Sequence, residues 1–214
     1  MFAQIKVVVD LIRGAMSSLK AFKADEDRKA FALEMLRIYF ALKDCVDEGS
    51  TLLAAAGCDP LRSLQSMSGS ELENARTTWN AILQRQGLRL YTLAGRIRSL
   101  DVLSVVDPNL QAKLEDAIGS KFDDVVTLQT IGAALYLRLM FRRSETVEEL
   151  ANYVAMTSGS DTDTFDMPRV RTEIEALQNS LHEYRGLIER FLSDQELVTF
   201  SRRARNDTRL NPTE

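Results

Sequence analysis

The chain is poor in the residues that carry the most recognisable chemistry. Its 214 residues include one histidine, two cysteines, one tryptophan, four prolines and ten glycines. A lone His182 excludes a histidine-rich zinc site and the paired Glu-x-x-His helices of a di-iron bundle. It also leaves no Arg-x4–6-His dyad of the all-helical HEPN ribonuclease kind, because the nearest upstream arginine is Arg171. Beside the apolar Leu181, His182 reads as a partly exposed flank residue. The glycines form no Gly-x-x-x-x-Gly-Lys-Ser/Thr loop, no Gly-x-Gly-x-x-Gly and no Gly-x-Ser-x-Gly. Phosphate-cradling and serine-hydrolase chemistries therefore lack their usual carriers. No Cys-x-x-Cys is present. A helix through Cys45 that runs to about residue 56 holds Cys45 too far from Cys58 for a disulfide. Two free thiols suit a reducing compartment, and Cys45 falls on an apolar stripe, as a small core residue does.

Long apolar runs are also missing. The longest nearly uncharged stretch, Val125–Leu137, has 13 residues and contains Thr127, Gln129 and Thr130, against the roughly 20 that a membrane span requires. The first residues are interrupted by Lys6, Asp10 and Arg13 and do not resemble a secretory signal. The expected location is cytoplasmic. Neither charge sign dominates: the net charge is −4 and the pI about 5.3. Residues 1–107 hold 14 basic and 13 acidic side chains, and residues 108–214 hold 13 and 18. A generic nucleic-acid coat protein is more basic than this.

What remains is rich in leucine, alanine, arginine and glutamate, and it is patterned at helical spacing. An amphipathic helix is expected over 3–22. A second follows, with Asp25 as N-cap, Phe31, Met35, Ile38, Leu42, Cys45, Gly49, Leu52 and Ala56 on one stripe, Gly49-Ser50 as a kink site and Gly57 as terminator. Asp59-Pro60 opens a short turn over Leu61–Gln65. Ser70 with Glu73 forms a capping box for a helix over about 71–102. Its stripe is Leu72, Trp79, Leu83, Leu90, Leu93, Ile97 and Leu100, with Gln86 and Arg76 as polar exceptions. Helices over 107–118 and 146–156 flank a nearly all-apolar helix at 121–143, which is expected to be the most buried one. Asp166-Met167-Pro168 opens the last long helix. Val170, Ile174, Leu177, Leu181, Tyr184, Ile188, Phe191 and Val198 follow a 4–3 spacing through it, with Gln195 as the polar exception. Ser193 with Glu196 allows a restart after a bend. The residues from Arg202 onward read as a frayed basic end and a tail. The prediction is an all-α protein: an antiparallel helical bundle of three to four long helices plus two to three short ones, one domain over 1–205 and a disordered tail over 206–214.

Three functional readings follow. The first is a non-enzymatic scaffold or accessory protein, assembling with another protein chain or as a homo-oligomer through coiled-coil-like seams. Gln86 and Gln195 suit register selection in that reading, although water at a helix end explains Gln195 equally well. No cofactor is expected.

The second is binding of nucleic acid or a phosphate ligand, the less favoured partners, through Arg85, Arg89 and Arg96. At 100° per residue, Arg89 lies about 40° and Arg96 about 20° from Arg85, while Arg98 points about 220° away. The three form a ridge beside the apolar stripe, where arginine stems lie along apolar surface. From Asn74 to Leu100 there is no acid, so the ridge needs partners outside its own helix. Acids of neighbouring helices are the favoured ones. Arg138, Arg142 and Arg143 end the 121–143 helix, where cations suit the dipole.

The third reading is an acidic-cluster, metal-dependent enzyme. Asp161, Asp163 and Asp166 form an Asp-x-Asp-x-x-Asp loop without the rest of a calcium loop. Asp123-Asp124, Glu148-Glu149 and Asp44/Asp47/Glu48 lack a matching second motif, and no metal ligand is assigned. Membrane-surface action by the first helix, through Phe2, Ile5, Val8, Val9 and Ile12, is weakened by the few cations on its polar face.

Overall fold

In the computed structural model the described residues are 25–57, 66–98, 126, 133, 167–190 and 192–209. They form four helices and no strand: α1 (Asp25–Ala56), α2 (Gly69–Arg98), α3 (Met167–Glu189) and α4 (Asp194–Thr208). The protein is all-α. The expected helices at 3–22, 107–118, 121–143 and 146–156, the turn at 61–65, Cys58 and the Asp161–Asp166 loop lie outside the described residues.

Composition and end signals explain the boundaries. α1 begins with Asp25, Glu26 and Asp27 in its first turn, where negative charge meets the unpaired N–H groups and the positive end of the dipole. Asp25 is itself helical rather than the cap. Its carboxylate is spent on Arg28 and on the Lys29 ammonium. These two cations hold the Asp25 carboxyl below its usual range, the Lys29 hydrogen bond contributing most. α1 passes through Gly49-Ser50 unbroken. There the Ser50 and Thr51 hydroxyls donate to the carbonyls of Val46 and Asp47, one turn back. It stops at Gly57, whose φ of 76° is the left-handed conformation that glycine adopts without a Cβ penalty.

α2 starts one residue before the expected cap. Gly69, at φ 52°, enters the helix, and the Glu71 amide donates to the Ser68 carbonyl. Ser70 thus sits inside the first turn. α3 starts at Met167 with Pro168 in its first turn, a position where the missing proline N–H costs nothing.

α4 is capped as the sequence signals. Ser193 accepts from the Glu196 amide, and the Glu196 carboxylate accepts from the Ser193 amide. α4 then runs through Thr208, whereas the tail was expected from 206 and fraying from Arg202. Contacts with α1 explain the difference. Arg205 donates to Asp44, and Arg37 donates to Asp207. The Thr208 hydroxyl closes the end on the Ala204 carbonyl.

The described residues fall into two compact units. One holds 25–44, 90–98, 176–190 and 192–209; the other holds 45–57, 66–89, 126, 133 and 167–175. In the first, Leu36, Ile38 and Leu42 of α1 are at most 1% exposed, and Leu93, Leu181, Ile188 and Ala204 are buried. Each leucine or isoleucine so buried contributes about 1.5–3 kcal/mol of transfer free energy. Tyr184 lies in this core, its hydroxyl donating to the Met35 carbonyl at 3.3 Å. Burial drives the Tyr184 hydroxyl well above its usual titration range. Its ring sits 6.3 Å from that of Tyr39. In the second unit Cys45, Val46, Leu52, Leu53, Trp79, Ile82 and Ile174 are buried, so Cys45 is the small core residue its stripe position predicts, and it forms no disulfide.

Candidate arginine–carboxylate site

The arginines of α2 sit where helical geometry and the lack of local acids force them to look outward from their own helix. Within the second unit, Arg85 Nε donates to Glu48 Oε1 at 2.9 Å, and Arg89 Nη1 donates to Glu48 Oε2. A single carboxylate thus serves two guanidinium groups. The Arg89 side chain is 10% exposed and that of Arg85 43%. This gradient follows from their angles, since Arg89 lies nearer the apolar stripe and its stem is buried along it. Beside them, Gln86 is 1% exposed and donates to the Cys45 carbonyl at 2.7 Å. The amide expected to select register in an oligomer is therefore bonded within one chain. Gln195 is exposed.

Within the first unit, Arg96 Nη1 donates to Glu34 Oε1 at 2.8 Å. The other oxygen of Glu34 accepts from Arg37 at 2.8 Å, and Arg37 donates in turn to Asp207 through Nε and Nη2. Partial burial works against the Arg37 charge, but the carboxylates of Glu34 and Asp207 outweigh it and raise its basicity. A chain of alternating charges thus runs from α2 through α1 to α4. The ridge divides into a Glu48-centred pair and a Glu34-centred link. The Arg98 side chain lies outside the described residues.

The remaining candidates carry less. His182 is exposed. Asp161, Asp163, Asp166, Asp123, Asp124, Glu148 and Glu149 lie outside the described residues. Among the described residues no group of three or more His, Cys, Asp or Glu side chains is arranged to hold a metal ion, and no helix is long and apolar enough to cross a membrane.

Periodicity alone passed over one feature. Tyr91 is 81% exposed and Leu88 45%. Both lie on the side of α2 away from Trp79, Ile82, Leu90 and Leu93. Relative to Arg85 they fall at about 240° and 300°, while the buried stripe centres near 100°. Gly87 and Gly95, one turn before and one turn after Tyr91, have open space where a Cβ would stand. The signal in the sequence was large apolar residues at the wrong angle for the core.

No family model matches the sequence, and neither a curated protein nor a solved structure is similar to it.

Proposed function

We propose that this chain is a non-enzymatic interaction or scaffold protein that assembles with protein partners through helix faces. The observation that carries this reading is the exposed Leu88–Tyr91 face of α2. A tyrosine that is 81% exposed beside a half-exposed leucine gives up transfer free energy that a partner surface restores. Tyrosine is also enriched at protein interfaces, where its ring supplies area and its hydroxyl stays hydrated. The flanking Gly87 and Gly95 leave room for a partner side chain to approach the backbone. The ion pairs of Arg85, Arg89 and Arg96 support the same reading, because they assign these arginines a part in holding α2 to α1. The test is the concentration dependence of mass by light scattering, with Leu88→Glu and Tyr91→Glu as variants. The reading predicts assembly in the micromolar range that both variants weaken by at least tenfold. A wild-type chain monomeric throughout that range, with no protein partner bound more weakly by the variants, overturns it.

A second reading keeps one observation. Arg85, Arg89 and Glu48 together carry a formal charge of +1, and Arg85 is accessible. A phosphate ligand would join or displace Glu48. Binding of a polyanion should then weaken steeply with salt, and Arg89→Ala should flatten that slope by about one unit; an unchanged slope contradicts it.

A further inference from the structure

The apolar spacing of α3 does not end where α3 ends. Ile174, Leu177, Leu181, Tyr184 and Ile188 are buried, and the same 4–3 spacing continues to positions 191, 195 and 198. Yet Val198 is 57% exposed, because α3 ends at Glu189 and α4 starts afresh at Asp194. No glycine or proline lies between Leu187 and Arg209. The break is therefore not imposed by a residue that cannot continue a helix. It is held by the Ser193–Glu196 capping box and by the seat of α4 on α1.

That seat is largely electrostatic. Ala204 is the one residue of α4 that is buried. Lys29 meets Glu196 at 3.0 Å, Arg37 meets Asp207 at 2.5 Å and Arg205 meets Asp44 at 2.5 Å. The Arg205 guanidinium also lies 5.2 Å from the centroid of the Phe40 ring. Glu196 at the start of α4 thus meets the start of α1, and Arg205 and Asp207 near its end meet the middle of α1. All the paired side chains are partly exposed, where water competes for each charge and holds each ion pair weak.

We propose that α4 is an exchangeable arm: it lifts from α1, continues α3 as one helix, and seats through the same charge pairs on α1 of a second copy. Every α4–α1 contact of the closed form is then remade between copies and only the capping box at the bend is given up, which makes exchange of an identical element a low-cost route to a dimer. Charge complementarity names the occupant, because α4 carries the acid, base and acid at 196, 205 and 207 that meet Lys29, Asp44 and Arg37. The surface differs from the Leu88–Tyr91 face, so the two proposals fail separately.

The test uses two full-length variants, Lys29→Glu with Asp44→Lys, and Glu196→Lys with Arg205→Glu. Each alone sets like charges between its own α1 and α4. Mixed, each arm finds its complement only on the other variant. The predicted result, by native mass spectrometry, is a mixed dimer well above the half of all dimers that random pairing gives, with amide protection of α4 restored in the mixture. Random pairing or monomers, with α4 left unprotected in the mixture, overturns the proposal. Protection of α1 and α2 amides verifies that each variant folds. Ser193→Ala, with the charges intact, provides a second readout. Loss of the cap removes about 1 kcal/mol of support for the bend, so the dimer constant should rise about fivefold per arm. An unchanged constant contradicts the exchange.

Discussion

Glu48→Gln is the most informative single substitution for the arginine–carboxylate site. It keeps the shape of the side chain and removes its charge. Arg85, 43% exposed, then turns to water at little cost, as exposed pairs contribute about 0.2–1 kcal/mol. Arg89, 10% exposed, cannot do so, and breaking a fully buried pair costs about 3–5 kcal/mol. Glu48 itself is 21% exposed, which places the expected loss between these limits, at about 2–3 kcal/mol. For a chain of this size that is a fall in Tm of about 4–12 °C. Urea unfolding should show a lower midpoint with an unchanged slope. Arg89→Met is expected to cost less than Glu48→Gln, since it removes the buried cation and keeps an apolar stem. Arg85→Ala should cost about 0.5 kcal/mol. The reasoning is refuted if Glu48→Gln is no more destabilising than Arg85→Ala. The same variant separates the functional readings, because freeing two arginines should strengthen polyanion binding only if that ridge binds anions.

Further outcomes follow from the geometry. Gln86→Leu should leave the mass of any assembly unchanged in light scattering, since its amide is bonded within the chain to the Cys45 carbonyl; a shift in oligomer size would restore its role in register. Tyr184→Phe should cost about 1 kcal/mol in urea unfolding, the net value of a buried hydroxyl hydrogen bond. The bond of its carboxylate to the Ser193 amide, with the Lys29 ammonium next, lowers the Glu196 carboxyl from 4.5 to about 2. The unfolded chain therefore takes up a proton first as the pH falls, and protection of α4 amides should be lost between about 4.5 and 2. In Glu196→Gln this pH dependence should be absent by hydrogen exchange.

Much of the local structure was legible because it depends on local chemistry. Gly57 ended α1, Pro168 opened α3, and the Ser193–Glu196 pair capped α4. Each is a short-range rule about unpaired backbone groups or φ. The angles of the three arginines likewise placed their ridge beside the apolar stripe, and the structure adds that Arg89 is the more buried of Arg85 and Arg89. The partners of those arginines were legible only as a class. The lack of acids between Asn74 and Leu100 demanded acids from elsewhere, but choosing Glu48 and Glu34 required the helix packing. The far end of α4 was misread for the same reason. Arg202–Thr208 is polar in composition, and its helix is held by Asp44 and Arg37, 161 and 170 residues from their partners in sequence. Gln86 was assigned to oligomer register because a polar residue in a seam looks the same whether its partner is another copy or a carbonyl of the same chain. Tyr91 and Leu88 lie off the apolar stripe that periodicity picks out, and only the packed helix shows them exposed.

The central claim, that the Leu88–Tyr91 face is an assembly surface, is tested most directly by light scattering of the full chain across the micromolar range beside Tyr91→Glu. Assembly of the wild type, lost in a variant whose helix content and Tm are unchanged, is the predicted result. Identical masses for the two proteins at every concentration contradict it.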